Sequence, residues 1–325
     1  MKVALLGSLA TAQRERLEAL VTEPIEFIPL PDELPYQAVE AGLLEARAAI
    51  SMRYDRSMPQ APRLELLQVG GAGYDGVDLE HLPRGCQVCN AYGHEVPIAE
   101  YVVLAMLQWC SRFMEAERSF RVDGSWHLGG RTAGPYQDEL AGKTVGILGF
   151  GHIAQALVPR VKAMDPTVMV CSRTERSLPP GVDWFGGAAR LDDFLPQVDF
   201  LVVTAALTPE TTGMIGAREL ALLRPTAVVI NVARGQIIDE DALYHALSSA
   251  RIGGAILDAW YRYPTPESPE VRPSRHPFHE LANVYMTPHS SAWTIGMVNR
   301  RWATIASNLD RLARGEPLLN VVHRT

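Results

Sequence analysis

No stretch of this 325-residue chain approaches the ~20 consecutive apolar residues that a membrane-spanning helix needs. The most apolar helical segment, IAEYVVLAMLQWC, carries Glu100 and Gln108 and reads as a buried helix. The opening MKVALLGS lacks the charged stretch and long apolar run of a secretory signal and reads instead as a first β-strand. No Lys/Arg-rich tract or block of like charge is present. A net charge of −7 gives no general attraction for phosphate backbones or anionic membranes, so neither nucleic acid nor a membrane is an expected partner. Cysteine is scarce. Of the four, Cys86 and Cys89 form the only CxxC pair, with no second pair and no Cys/His partner at zinc-finger spacing. CQVCN reads as a strand entering a loop, no metal site is expected, and free thiols fit a reducing compartment such as the cytoplasm.

What the chain does contain is alternation. A composition of 47% hydrophobic and 21% charged residues suits a globular protein, and the length suggests about two domains. Short apolar runs, VALLG (3–7), LELLQVG (64–70), TVGILGFG (144–151), TVMVCS (167–172), FLVVTAA (200–206), AVVINVA (227–233) and IGGAILDAW (252–260), are separated by segments with helical patterning. Val- and Ile-rich strands alternating with helices predict an α/β fold of parallel sheets covered on both faces. The exception is YRYPTPESPEVRPSRHPF (261–278), whose prolines predict a long loop, either a lid or a surface insertion.

TVGILGFGHIAQAL has the strand–turn–helix context of a dinucleotide-binding turn. Gly149 suits the tight turn and Gly151 the approach of a pyrophosphate to the helix N-terminus, with Ala154 in place of the third glycine. Phe150, His152 and Ile153 belong to the same predicted contact, as does Ala205 at the end of a neighbouring run. At the end of the next strand, where NAD-preferring folds place an acid, this chain has Ser172, Arg173, Thr174 and Arg176. A guanidinium there grips a 2′-phosphate and the hydroxyls add donors, so NADP(H) is expected over NAD(H), with NAD(H) still possible. Arg234 stands at the carboxyl end of VVINVA, where open α/β sheets bind ligands, and His289 follows in NVYMTPHSSAWT. Together they offer a fixed cation for a carboxylate and carbonyl, and an imidazole to donate a proton as hydride arrives.

Over nearly its whole length the chain resembles the D-isomer-specific 2-hydroxyacid dehydrogenase family. The resemblance rests on LQVGGAGYDGVDLEHLP, VCNAYGHEVPIAEYVVLAML, ELAGKTVGILGFGHIAQAL, NVARGQIIDEDALYHAL, RIGGAILDAW and NVYMTPHSSAW, in that order. It implies that Arg234 binds the substrate carboxylate and carbonyl and that His289 is the general acid/base. It further implies that the amides of Gly71, Ala72 and Gly73 hold the carboxylate. Asp258, with Ala233 beside it, would contact the nicotinamide amide, and Thr208 and Thr211 would lie in a turn near the cofactor. One match fails: the family's Glu five residues after Asp258 is Tyr263 here, which cannot supply charge at pH 7. His289 is then expected nearer its unperturbed pKa of ~6.5, unless Glu267 or Glu270 folds back to replace the acid.

The implied architecture is two Rossmann/flavodoxin-like doubly wound domains. A substrate domain, 1–98 plus 291–325, would be interrupted by a dinucleotide-binding domain, 99–290, with a crossing helix starting at Pro97 and a closing cleft between the two. The implied reaction is NADPH-dependent reduction of a small 2-oxo acid such as glyoxylate or hydroxypyruvate in a homodimer formed through the cofactor domain. Met52, Tyr74, Trp293 and the 261–278 loop are candidates for the substrate pocket. Two alternatives are a formate-type dehydrogenase, which needs no general acid, and a nucleotide-sensing protein without turnover. The substrate's side chain and the physiological direction are not legible in the sequence.

Overall fold

In the computed structural model of the protein, residues 1–265 and 268–325 are described. The chain divides into two compact units, Met1–His94 with Thr294–Thr325, and Glu95–Trp293. Among the described residues, no helix is long and apolar enough to cross a membrane.

The first unit is built on a six-stranded sheet, in spatial order Val321–Arg324, Gln87–Cys89, Leu66–Val69, Ala48–Ser51, Lys2–Leu6 and Glu26–Leu30. Five strands run parallel. The sixth, Val321–Arg324, pairs antiparallel with Gln87–Cys89 and so departs from the all-parallel expectation. An antiparallel strand at the edge of a parallel sheet is a common solution. Alternate residues feed opposite faces. Val3, Leu5 and Ile50 pack beneath the long helix Ile295–Arg314 through Trp302, Ile305 and Leu309, while Ala4, Leu6 and Leu67 pack with Leu43 and Tyr54. The helix starts at Thr294, whose hydroxyl accepts from the Met297 amide, and ends at Gly315 in the left-handed region.

The second unit carries seven parallel strands, in order Val284–Met286, Gly254–Leu257, Val228–Asn231, Phe200–Val203, Thr144–Leu148, Thr167–Ser172 and Trp184–Gly187. Val228 and Ile230 face Val102 and Met106 of helix Glu95–Ser111 and Leu157 of helix His152–Lys162. Val229 faces the other way, toward Leu220 and Leu243. Each such side chain removed from water contributes about 1.5–3 kcal/mol. Helix Glu95–Ser111 starts two residues before Pro97, so the proline sits in the first turn, where its missing N–H is tolerated. The chain first builds outward from Thr144–Leu148 to one edge, then returns to Phe200–Val203 and builds to the other. That reversal puts a crevice at the carboxyl ends of Thr144–Leu148 and Phe200–Val203, the place where such sheets take ligands.

The CxxC pair is part of the packing. Cys86 and Cys89 are both buried, with Cys89 on the strand Gln87–Cys89, and burial pushes their thiols up to about 11 and about 12. Neither is a thiolate at neutral pH.

Candidate active site

The turn at 149–151 lies in that crevice. Gly149 has φ 97, and a Cβ there would stand 2.7 Å from the Ala205 nitrogen, so both the backbone sign and the close approach require glycine. The Thr204 amide donates to the Leu148 carbonyl at 2.9 Å and its hydroxyl to the Gly149 carbonyl at 3.3 Å, which locks Ala205 against the turn. Gly151 is different: a Cβ there would meet nothing within 4 Å. It caps helix His152–Lys162 without a side-chain hydrogen bond, and the first turn of that helix carries no acid. A helix N-terminus facing open space fits an anionic pyrophosphate. Ile153 turns into the core beside Leu157.

The second-strand residues divide into different roles. The Arg176 guanidinium lies 5.6 Å from the Phe150 ring centre and 5.9 Å from that of Phe185, two rings meeting edge to face. The Ser172 hydroxyl, expected as a donor to the cofactor, instead donates to the Thr174 carbonyl at 3.1 Å. Arg173 is near enough to Glu210 for its charge to help hold that carboxyl below its ordinary value, after the larger effects of the Thr208 hydroxyl and Glu210's own amide. The hydroxyls of the 208–211 turn serve the turn itself. Thr211 Oγ1 accepts from the Thr208 amide at 2.8 Å and donates to the Ala206 carbonyl at 2.7 Å.

Arg234 follows strand Val228–Asn231 and is braced by a residue that sequence reasoning passed over. Asn231, buried, accepts from the Ala233 amide at 3.0 Å and donates to the Arg234 carbonyl at 3.0 Å. Its own carbonyl accepts the amides of Asp258 and Ala259. The adjacent Gly235 lets the backbone of Trp260 pass within 2.5 Å of where a Cβ would be. The corner carrying the guanidinium is thus built from two neighbouring strand ends.

His289 stands after strand Val284–Met286 with φ 54, a left-handed conformation that His, Asn and Asp tolerate better than most residues. What holds it there is Asp258, 1% exposed. One carboxylate oxygen accepts from the Thr287 hydroxyl at 2.7 Å and the Ser290 amide at 2.8 Å; the other accepts from the Ser291 amide at 3.1 Å and the Ser291 hydroxyl. The Thr287 hydroxyl, having given its hydrogen to Asp258, accepts from the Tyr101 phenol at 2.7 Å. Burial pushes Tyr101 above the ordinary phenol value, which keeps it a donor. In the protein as it stands, Asp258 anchors the 287–291 loop with both oxygens. Thr287, Tyr101, Ser290 and Ser291 were not singled out from sequence, because no motif marks a residue whose partner arrives from another strand.

Tyr263 OH lies 2.7 Å from His289 Nδ1, so the residue at the position of the missing Glu does meet the imidazole. The expectation of an unperturbed imidazole needs correction. Crowding by protein lowers its pKa below the ordinary value even though part of the residue stays accessible; Asp258 opposes this and the nearby Arg234 charge adds to it. Arg234 and His289, 55 positions apart in sequence, are therefore brought within electrostatic reach. Of the two candidate replacement acids, Glu270 is in an exposed turn and Glu267 lies outside the described residues.

The later half of the proline-rich segment is tied down. The Ser274 hydroxyl and Arg275 amide donate to Glu240 at 2.6 and 2.8 Å. Arg275 pairs with Asp241, and His276 stacks on Tyr244 with ring centres 4.5 Å apart. These contacts fix 273–278 on helix Glu240–Ser248. In the other unit, the loop after Leu66–Val69 is pinned through its carbonyls: the Ala91 amide donates to Gly71 at 2.9 Å and the Asn90 side chain to Ala72 at 2.8 Å. Met52 packs against Gly71, where a Cβ would come within 3.1 Å of its methyl carbon.

Residues 103–291 match the family model for the D-isomer specific 2-hydroxyacid dehydrogenase, NAD binding domain. Glyoxylate reductase of Thermococcus gammatolerans is 32% identical over 302 residues, which cover 90% of this chain and 87% of that protein. Among solved structures, a 2-hydroxyacid dehydrogenase from Ketogulonicigenium vulgare Y25 aligns with a TM-score of 0.82 at 28% identity, covering 99% of this chain and 98% of its own. The NADPH-dependent glyoxylate/hydroxypyruvate reductase from Sinorhizobium meliloti, solved with NADP and sulfate, aligns with a TM-score of 0.76 at 28% identity, covering 99% and 98%. A dinucleotide turn at a sheet's switch point, with an arginine and a histidine at the carboxyl ends of two strands that flank Gly254–Leu257, is thus matched by likeness along the whole chain, which belongs to the D-isomer-specific 2-hydroxyacid dehydrogenase family of oxidoreductases.

Proposed function

We propose that this protein reduces a small 2-oxo acid of the glyoxylate or hydroxypyruvate kind to the D-2-hydroxy acid, using NADPH in preference to NADH. The observation that carries this reading is the convergence of Arg234 and His289 on one carboxyl edge of the dinucleotide-binding sheet. The names of the glyoxylate reductases in the family support the substrate class.

The unit Glu95–Trp293 takes the cofactor, with the 149–151 turn and the open N-terminus of helix His152–Lys162 holding the pyrophosphate. When bound, the reduced nicotinamide supplies hydride to C2 of the substrate. Arg234 binds the substrate carboxylate and draws electron density toward the carbonyl oxygen. His289 gives that oxygen its proton from Nε2, the nitrogen opposite the one facing Tyr263. In the other unit, the amides of Gly71, Ala72 and Gly73 offer a nest for a carboxylate. Arg173 and Arg176, with no carboxylate at the strand end, favour a cofactor bearing a 2′-phosphate.

The test is a panel of 2-oxo acids, their uncharged esters and formate, each with NADPH and NADH or the oxidised forms. The expected result is turnover of small 2-oxo acids, loss of activity with the esters, and kcat/KM at least about tenfold higher with NADPH, equivalent to ~1.4 kcal/mol of phosphate recognition. Better activity with NADH overturns the cofactor assignment. Formate oxidation, or tight cofactor binding without turnover of any acid, overturns the reductase reading.

The same unit exposes Leu104, Phe113, Phe120, Val122 and Trp126 on and beside helix Phe113–Asp123, with Phe120 and Trp126 packed edge to face. Apolar groups gathered this way support the proposal of an interface with a second copy of the chain. Trp126→Glu is expected to convert a dimer into a monomer in sedimentation analysis. A wild-type protein that sediments as a monomer removes the interface.

A further inference from the structure

We propose that Tyr263 is the positioning residue for proton transfer, donating its phenolic hydrogen to Nδ1 of His289 and so fixing the neutral ring as the tautomer that carries its proton on Nε2. This rests on the reading of His289 as proton donor and specifies the resting tautomer from which the charged donor forms.

The argument starts from the bonds around the phenol. The backbone N–H of Trp260 donates to Tyr263 OH at 3.0 Å, and the same oxygen lies 2.7 Å from His289 Nδ1. A phenol has one hydrogen, and with an ordinary pKa of about 10 it keeps that hydrogen at neutral pH. With Trp260 donating to the oxygen, the phenolic hydrogen is directed along the short contact to Nδ1. The chain Trp260 N–H to Tyr263 O–H to Nδ1 has each donor polarising the next. Trp260 also fixes the acceptor, because its indole N–H donates to the Thr287 carbonyl at 2.8 Å, two residues before His289. The two rings, 5.3 Å apart and inclined at 52°, meet through this bond rather than by stacking.

The charged groups facing the imidazole come from two directions. Arg234 approaches from the end of Val228–Asn231 and Asp258 from the end of Gly254–Leu257. Tyr101, on helix Glu95–Ser111, acts through Thr287 on Asp258. The Asp258 oxygens accept from the 287–291 loop, so the contact on Nδ1 is the phenol.

The consequence differs from that of a carboxylate partner, which accepts from Nδ1–H and stabilises the imidazolium. Here, protonating Nδ1 obliges the phenol to turn its hydrogen away and become an acceptor, so Tyr263 favours the neutral ring. For reduction the resting ring first takes a proton from water on Nδ1; in the imidazolium so formed the Nε2–H bond breaks and an O–H bond forms on the substrate, as C2 receives the hydride that a bound reduced nicotinamide would supply. The ring is left neutral with its proton on Nδ1, and returns at rest to the Nε2–H form by taking a proton on Nε2 and releasing the one on Nδ1 to water. The reverse reaction needs a bare Nε2, the tautomer that Tyr263 disfavours.

The test pairs a spectroscopic and a kinetic readout. In the cofactor-free protein labelled with 15N-histidine, two-bond 1H–15N correlations at neutral pH should show His289 protonated on Nε2. Tyr263→Phe should mix the tautomers and move the alkaline limb of kcat/KM for reduction upward by about 0.5–1 pH unit, or three- to tenfold more activity on that limb. Tyr263→Glu should move it further and place the proton on Nδ1. Protonation on Nδ1 in the wild-type neutral ring, or a limb that stays put or moves down in Tyr263→Phe, overturns the proposal. The tautomer measurement needs no turnover, so a failed substrate panel leaves it decisive.

Discussion

Replacing His289 by Asn is expected to lower kcat for 2-oxo acid reduction by about 10²- to 10⁴-fold, the usual contribution of a positioned general acid. Asn is the informative substitution because residue 289 sits at φ 54, where most side chains introduce strain but Asn does not. A loss of rate is then a loss of chemistry rather than of loop structure. Arg234 and its Asn231 brace are untouched, so KM should change far less than kcat, and cofactor affinity should stay as it was. The melting temperature should remain close to wild type, since the loop is held by Asp258 through residues 287, 290 and 291. Steady-state kinetics alongside calorimetry separates the effects. A fall in kcat of less than about tenfold would remove His289 from the proton-transfer step.

The wild-type enzyme carries a related signature. Crowding by protein holds the His289 imidazole below its ordinary value and the Arg234 charge acts in the same sense, so the acid form is scarce at neutral pH. Reduction should be greatest on the acid side and fall as pH rises through a value below the ordinary ~6.5. A plateau in kcat/KM persisting above pH ~8.5 contradicts this origin for the limb.

Much of this was legible in the residues, for a physical reason. A strand buried on both faces must be a continuous Val/Ile run, so 144–148, 167–172, 200–203 and 228–231 were visible in the sequence. The strands that were missed are marginal ones. Glu26–Leu30 contains Pro29, which an edge strand tolerates, and Trp184–Gly187 ends in two glycines at the opposite edge of its own sheet. Ala48–Ser51 is a four-residue run with little side-chain signal. The site follows the same rule. Gly149, Gly151, Arg234 and His289 stand out because each adjoins a strand end with a recognisable local pattern. Asn231, Thr287 and Tyr101 do not, because their importance lies in partners brought from elsewhere by the fold: Tyr101 meets Thr287 across 186 positions. Tyr263 was seen only as a mismatch, and what it does at that place depends on the Trp260 amide behind it.

Asp258→Asn should destabilise the free protein by about 2–5 kcal/mol and take most of the reductase activity with it. The carboxylate accepts from four donors, two amides and two hydroxyls, from a 1% exposed position. An Asn amide has one accepting oxygen. Whichever way it is turned, its NH2 confronts one backbone amide that then lacks a partner in a buried site, at about 1–3 kcal/mol, and one hydroxyl that must reverse its bond and give up its charge-assisted contact. The resemblance to the family assigns this acid to the nicotinamide amide, a role that predicts weaker cofactor binding and no change in the cofactor-free melting point. Anchoring of the 287–291 loop predicts the opposite emphasis: a melting temperature lower by about 5–15 °C before any cofactor is added. It also predicts that kcat falls because His289 no longer holds its left-handed position. Calorimetry of the free variant decides between them. An unchanged melting temperature would show that the four bonds contribute no net stability and that the histidine loop is held by other contacts.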